Sequence, residues 1–370
     1  MMNFSTDNLR TVFADDNKFD KFEKLCFDLV QGNPMYDVDD NGNQVVVSKR
    51  DANKAIQKVF MDICGLSEED LKSKKKRKRA EQAHAVEVFE VIENVIDFKI
   101  EAGWKESEFF NNFVEVHNVA LGDAEEFRTE MPTLFVVSDY SGDNHDLTMQ
   151  QYPEGKVIPV KATPKYIKTG KDIDLIILGR VDFDKWVSRI AESYVQYTQK
   201  LAYDALLSVQ NTLPSAYKGS GALSASTKDN FDALIEQVEA INGATAVIMG
   251  TKVALKKITA IANVQWASED QKKSIADTGR LGNYEGTILI EIEQRLSLAD
   301  GVTRMIDNDL LWIFPTVEDK FIKMVDGGET TLEIDEKGRL QDDFETIEVA
   351  RDLGVGVALG QYMGVWDLNP

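Results

Sequence analysis

The chain has 370 residues, 43% hydrophobic and 28% charged, which excludes wholesale disorder and a fibrous protein and leaves room for two or three cooperating subdomains. Its 42 Lys and Arg against 63 Asp and Glu give a net charge of −21, so free nucleic acid and anionic membranes meet a repelling surface wherever cations do not gather locally. Cys26 and Cys64 are too few for a disulfide framework, the opening MMNFSTDNLR lacks the basic and apolar regions of a secretory signal, and no apolar run reaches the ~18 residues of a membrane span, so a soluble protein of a reducing cytoplasm is expected.

Residues 1 to 105 read as a helical, highly charged module of its own. Phe19, Phe22, Leu25, Cys26 and Leu29 recur at the three- and four-residue spacing of one buried helix face. Asp40-Asn41-Gly42-Asn43 is turn chemistry and Gln44 to Val47 a strand, so a hairpin interrupts the helices. Helical patterns return over Lys54 to Cys64 and again from Ala80 to Ile100, where Val86, Phe89, Ile92, Val95 and Ile96 recur. Between them stands Lys72-Ser73-Lys74-Lys75-Lys76-Arg77-Lys78-Arg79, and without its seven cations the rest of the chain stands at −28. The run precedes the helix from Ala80 and puts positive charge at the positive end of the helix dipole. A solvated charge run is the default reading; an anionic partner is the alternative.

From Phe109 to Asp139 the pattern changes, with Thr133 to Val137 rich in β-formers, followed by the turn cluster Tyr140-Ser141-Gly142-Asp143-Asn144. A long connection to Asp174 carries Pro153, Pro159 and Pro164. An extended two-stranded tongue fits it, because proline on an edge strand removes a donor and discourages indiscriminate pairing. Ile173 to Val181 reads as a strand. Then comes the cleanest helical pattern, Asp184 to Gln210, with Trp186, Ile190, Tyr194, Tyr197, Leu201, Ala205 and Val209 on one stripe and Pro214 beyond its end. At ~1.5 Å per residue it is a spine about 40 Å long.

Gly219-Ser220-Gly221 is a connector into an alternating α/β region. Phe231, Leu234, Ile235, Val238 and Ile241 mark a helix ending near Asn242-Gly243, followed by a strand at Ala244 to Met249 and a helix at Thr251 to Ala262, so a sheet covered by helices is expected. Further strands fall at Gly286 to Ile292, Leu310 to Phe314, Phe321 to Val325, Thr330 to Ile334, Glu345 to Ala350 and Gly354 to Leu359.

Motifs with chemistry are few. Asp37 to Gly42 copies the first half of a calcium loop, but Ser48 stands where a bidentate Glu should close the shell, so it reads as a turn. Gly354-Val355-Gly356 with Gly360 imitates a dinucleotide fingerprint without the helix that would face the pyrophosphate; close backbone packing in a strand is the better reading. His84, His117 and His145 stand far apart, and among 63 carboxylates no acid–base pair is singled out. No catalytic, cofactor-binding or metal residue is assigned, and the chain is not expected to be an enzyme.

The series of segments resembles one family. F-V-E-V-H-N-V-A-L-G-D-A-E-E-F (Phe113 to Phe127), L-F-V-V-S with S-G-D-N-H (Leu134 to His145), L-G-R-V-D-F-D-K-W (Leu178 to Trp186), A-V-I-M-G-T-K-V-A-L (Ala246 to Leu255), D-N-D-L-L-W-I-F-P (Asp307 to Pro315) and D-L-G-V-G-V-A-L-G-Q-Y-M-G-V (Asp352 to Val365), in that order, are similar to the major capsid proteins of tailed bacteriophages. The resemblance covers Phe109 to Trp366 well and residues 1 to 105 loosely. It implies an α+β fold: a helical N-terminal segment over 1–105, a lead-in over 106–122, an extended loop over 123–169, a peripheral domain over 170–221 and 308–370 that holds the spine helix, and an axial domain over 222–307.

It also implies a structural protein that self-assembles, as hexamers and pentamers, into an icosahedral head shell around double-stranded DNA. Scaffolding and portal proteins are implied as partners, with no membrane, and the virion capsid as location after synthesis and assembly in the host cytoplasm. Tyr140, Pro153, Lys156, Pro159, Lys161, Pro164 and Trp186 are the expected assembly contacts. Lys74, Lys75, Lys76, Arg77, Lys78 and Arg79 are candidates for contact with packaged DNA or with acidic faces of neighbouring subunits. Some relatives lose a helical N-terminal scaffolding segment to a protease; residues 1 to 105 have the size for one, and retention is expected. The alternatives are a cargo-enclosing bacterial compartment shell of the same fold and a motif-poor acidic α/β enzyme.

Overall fold

The computed structural model describes residues 16–38, 44–120, 124–129, 134–137, 149–151, 155, 157–170, 172–262, 273, 279–297, 300–316, 319–335, 346–358, 360 and 362–369. Its N-terminal part is helical: α1 (Asp16–Gln31), α2 (Lys49–Ile63), α3 (Lys74–Ala83), α4 (Ala85–Glu106) and α5 (Glu108–Phe113). The expected hairpin interrupts it, β1 (Tyr36–Val38) pairing antiparallel with β2 (Gln44–Val46); its turn at Asp40 to Asn43 lies outside the described residues. Ser48 caps α2 by accepting from the Asp51 amide at 3.2 Å.

The helices form no separate module. Phe22, Cys26 and Leu29 of α1, Ile56 and Phe60 of α2, and Ile92, Ile96 and Ile100 of α4 lie in one apolar core with Trp186, Ile190, Met324 and Val349 from the C-terminal two-thirds of the chain. The reason is the width of the apolar face on α4. Val88, Phe89, Val91, Ile92, Val95 and Ile96 are all buried, more than one neighbouring helix can cover, so α4 is held between α1 and the spine.

The basic run is itself helical, as α3, where a helix beginning at Ala80 was expected. The expected strand at Ile173 to Val181 is also a helix, α6 (Asp172–Ile177). Short buried apolar runs carry no periodicity that separates the two states, and here the tertiary setting decides. Gly179, at φ +65°, donates to the Ile176 carbonyl at 2.8 Å and Arg180 to that of Leu175 at 2.8 Å, closing the helix with a left-handed residue, while the Gln57 side chain donates to the Ile177 carbonyl at 2.7 Å.

The spine, α7 (Phe183–Gln210), begins at Asp182, and Asn53 of α2 accepts from the Phe183 amide at 3.0 Å. Trp186, Ile190 and Tyr194 are buried as expected, but the buried stripe continues through Thr198, Ala202, Tyr203 and Leu206, not through Leu201, Ala205 and Val209. Successive steps of four drift around a helix of 3.6 residues per turn, and contact with α4 and the sheets selects the face that keeps to that period. A Cβ on Gly103 would lie 2.8 Å from Val195 Cγ2, so this glycine lets α4 approach the spine; Trp104 Nε1 donates to Thr198 Oγ1 beside it at 3.1 Å.

A four-stranded sheet has the order β3 (Val114–Asn118), β12 (Ile322–Asp335), β13 (Thr346–Val357), β6 (Thr163–Gly170). Four strands were expected where β12 and β13 stand; β12 runs through a bulge between Asp326 and Thr330, with Gly328 at φ +79°, and β13 is continuous. A six-stranded sheet has the order β7 (Lys218–Ser220), β14 (Gly364–Asp367), β11 (Leu310–Pro315), β8 (Ala246–Gly250), β10 (Thr287–Glu291), β9 (Asn283–Tyr284). Val247, Met249, Trp312 and Phe314 face the main core, and Ala246, Ile248, Leu311 and Ile313 face a second core under α8 (Lys228–Asn242) and α9 (Lys252–Ile261). Cover on both faces is why β8 and β11 are unbroken apolar runs. Among the described residues no helix is long and apolar enough to cross a membrane.

Candidate assembly surfaces

Beyond β3 the chain forms a two-stranded antiparallel ribbon, β4 (Ala124–Arg128) with β5 (Val157–Lys161), in which Glu126 lies opposite Pro159. Phe127, Val160 and Ala162 anchor the ribbon on Val325 of β12, with Val119 and Ile158 packed around them. Two glycines of β13 make room: a Cβ on Gly354 would clash with the Lys161 carbonyl, and one on Gly356 would lie 2.7 Å from Val160 Cγ2. The glycine motif serves close backbone approach, and no helix follows it among the described residues.

Polar groups brace the same root. His117 Nε2 lies 2.7 Å from Glu115 and its Nδ1 3.5 Å from Glu125 of the ribbon, with the ring edge-on to Phe127. Lys323, buried, pairs with both Glu115 and Asp319. Burial raises the Glu115 carboxyl, but hydrogen bonds from Lys323 and His117 outweigh it and hold the group below its ordinary value.

Between β4 and β5 in the chain, the described residues 134–137 and 149–150 are uncovered. Leu134 is 87% exposed, Phe135 54%, Val137 95% and Met149 92%. The Gln150 side chain bridges the backbone of Val136, accepting from its amide and donating to its carbonyl at 2.7 Å each, which holds one edge of 134–137 as a neighbouring strand would. Among the described residues there, none is in regular secondary structure.

Of the expected contact residues, Pro159 and Lys161 stand exposed on β5 and Pro164 on β6, an edge strand, where proline is tolerated. Tyr140, Pro153 and Lys156 lie outside the described residues. Trp186 does not belong with them: it is 7% exposed and packs into the chain's own core, as its place on the apolar stripe of the spine dictates.

Sequence reasoning missed Arg351. Its side chain is fully buried; the guanidinium grips Asp326 with bonds of 2.9 and 2.6 Å, pairs with Asp97 of α4, reaches Thr330 Oγ1 at 3.1 Å and lies over Trp104 at 5.4 Å. The bulge in β12 frees the Thr330 amide, which Asp97 accepts at 3.2 Å, and Glu93 accepts from Leu332 at 2.6 Å. Burial pushes both Glu93 and Asp97 above the ordinary carboxylate range, for Asp97 in spite of Arg351. This knot ties the N-terminal helices to the sheet that carries the tongue. An arginine inside an apolar strand was the only local signal for it.

The α3 surface is of another kind. None of its residues is buried, its first turn holds no acid, and Ser73 makes no side-chain cap bond. Lys76 pairs with Asp70, whose carboxyl is held down to about 2 by that bond and by Ser67, and Arg77 donates to the Leu71 carbonyl.

No curated protein matches the chain. Among solved structures it is similar to the mature capsid of bacteriophage PhiM1, at 11% identity over 71% of this chain and 87% of that one with a TM-score of 0.48. It is likewise similar to the procapsid of satellite phage P4, at 12% identity over 74% and 90% with a TM-score of 0.45, and to the capsid of a native GTA particle, at 10% over 70% and 89% with a TM-score of 0.45. Residues 32–367 match the family described as SPbeta prophage-derived putative capsid protein YonB, nearly the whole length, and the chain belongs to that family: it is a structural protein of a phage head shell.

Proposed function

We propose that each subunit builds the shell by lending its tongue to an adjacent copy, the lent part lying between β4 and β5, since 163–169 of the expected loop is β6 of the four-stranded sheet. The observation that carries this is the bare apolar strip at Leu134 to Val137 with Met149, which the chain places between the two strands of a ribbon whose root is packed and braced. Four consecutive exposed apolar residues offer side chains to both sides, and their transfer from water is a driving force that only another surface supplies. Closing rings of five and six copies makes later contacts effectively intramolecular, so many weak contacts suffice. The net charge of −21 opposes close approach and makes assembly respond to salt. Scaffolding and portal proteins act as partners in this reading, the shell encloses double-stranded DNA, and assembly takes place in the host cytoplasm.

The test is Leu134→Asp with Val137→Asp. Both positions are exposed, so the free subunit should melt as the wild type does, while particles seen by negative-stain imaging disappear. Particles at wild-type yield from this variant would end the lent-tongue reading.

A further inference from the structure

The N-terminal helices hold a feature that shell closure by tongues leaves unused. Seven of the chain's 42 Lys and Arg stand between Lys72 and Arg79, on a protein of net charge −21. Six of them stand on α3, three as lysines in its first turn, where the helix dipole repels them and the turn itself holds no acidic side chain. Lys72, Lys74, Lys75 and Arg79 make no ion pair or hydrogen bond through their side chains among the described residues, while Lys76 pairs with Asp70 and Arg77 donates to the Leu71 carbonyl. The cations therefore add like-charge repulsion to a helix that buries no residue in return.

A second group of cations stands on the chain that follows α6. Helix α3 packs against α6, and the chain leaving α6 carries Arg180, Lys185 and Arg189, all exposed, into an open groove of about 450 Å³ between β6 and the start of the spine. Among these three, Lys185 pairs with Asp182 at 2.5 Å.

We infer that this face binds the phosphodiester backbone of duplex DNA on the inner side of the shell, with Lys72, Lys74, Lys75 and Arg79 as the principal contacts and Arg180 and Arg189 extending the track. The composition of α3 selects a polyanion over an acidic protein. Its sequence, KKKRKRAEQA, offers no aliphatic side chain beyond alanine and no aromatic one, whereas the core of a protein interface is aromatic and apolar and poor in lysine. Phosphate binding needs only the cations, and the affinity comes from the counterions they release. Contacts from these cations to phosphate oxygens carry no base information, so the binding is independent of sequence. Placing this face on the inner side rests on the reading of the chain as a shell subunit; the binding itself does not.

The experiment compares full-length wild type with the fourfold variant Lys72→Gln, Lys74→Gln, Lys75→Gln, Arg79→Gln, and with a control that makes Gln of the equally exposed Lys49, Lys58, Lys252 and Lys256. Binding to a short mixed-sequence DNA duplex is measured across a salt series, together with the melting temperature and the particle yield. The wild type and the control should share one slope of log affinity against log salt, and the α3 variant should lose roughly 0.9 of slope for each phosphate contact removed. Its melting temperature should stay level or rise, since the cations are unfavourable to the helix. Equal slopes for the α3 variant and the control would overturn the proposal. So would loss of particles by the α3 variant with its DNA slope unchanged, which would assign the face to an acidic neighbouring subunit. Particle yield is read separately from DNA affinity, so failure of the tongue-lending reading and failure of this one are distinguishable.

Discussion

Strand β8, Ala246 to Gly250, and the segment Leu134 to Val137 are both unbroken runs rich in β-forming residues, yet one is covered on both faces and the other on neither. In β8 alternate side chains enter two different cores, Val247 and Met249 on one side, Ala246 and Ile248 on the other. In the tongue the same kind of residue meets water. A single chain supplies helices and sheet enough to cover β8 on both faces, and on the proposed reading the uncovered run is covered by a second copy. The two runs teach that hydrophobic composition alone says a segment is to be buried, while the connections around it say by whom.

That contrast can be broken first at its closed side. Replacing Arg351 with Ala leaves Asp326, at 1% exposure, and Asp97 as buried carboxylates without their cation; a loss of about 3–5 kcal/mol is expected by chemical denaturation of the free subunit. Leu311→Ala, at a site with no exposure in the second core, should cost about 2–5 kcal/mol, from lost transfer free energy and the cavity that remains. Val137→Asp should stay within about 0.5 kcal/mol of wild type in the same assay, because it removes no internal contact. If Val137→Asp unfolds the free subunit as Leu311→Ala does, the tongue strip is packed within one chain and the comparison fails.

These regions differ too in how legible they were. The spine helix, β8 with α9, and β11 were readable because their apolar positions follow a helical period or form a run long enough to be a doubly covered strand. Residues 134–137 read as β-forming, but a strand needs a ladder partner, and none is present among the described residues. Strand and helix were confused at Ile173 to Ile177, where burial by α2 and the cap at Gly179 decide the state and no local pattern does. Trp186 was expected among the assembly contacts, but its neighbours on the apolar stripe of α7 already placed it inward. The knot of Arg351 with Asp97 joins residues 254 positions apart, and the bulge that creates a need for Asp97 exists only once β12 and β13 are paired. That contact also fastens the N-terminal segment, whose apolar side chains belong to the main core, to the sheet.

The smallest effects separate the closed region from the tongue root by the sign of their response to pH. Burial raises the Glu93 carboxyl above its ordinary 4.5, with Asp97, Glu90 and Glu329 adding to it against the hydrogen bond from Leu332. Between the ordinary and the raised value the folded state holds the proton more tightly than the unfolded chain, so stability falls as pH rises through that window. Glu93→Gln keeps an oxygen for the Leu332 amide and carries no charge; it should flatten part of this decline, leaving the part due to Asp97, and be more stable than wild type above the window. Glu115 at the tongue root runs the other way. Its carboxyl is held below the ordinary value, so its contribution is complete above the unfolded value and is lost as pH falls through the folded one. Hydrogen exchange followed across the acid range should therefore show β3 and β4 loosening on acidification while α4 and β12 tighten. Equal pH slopes in the two places, or no difference between wild type and Glu93→Gln, would mean that the buried carboxylates of α4 are charged at no cost and that the lock and the tongue root are one unit.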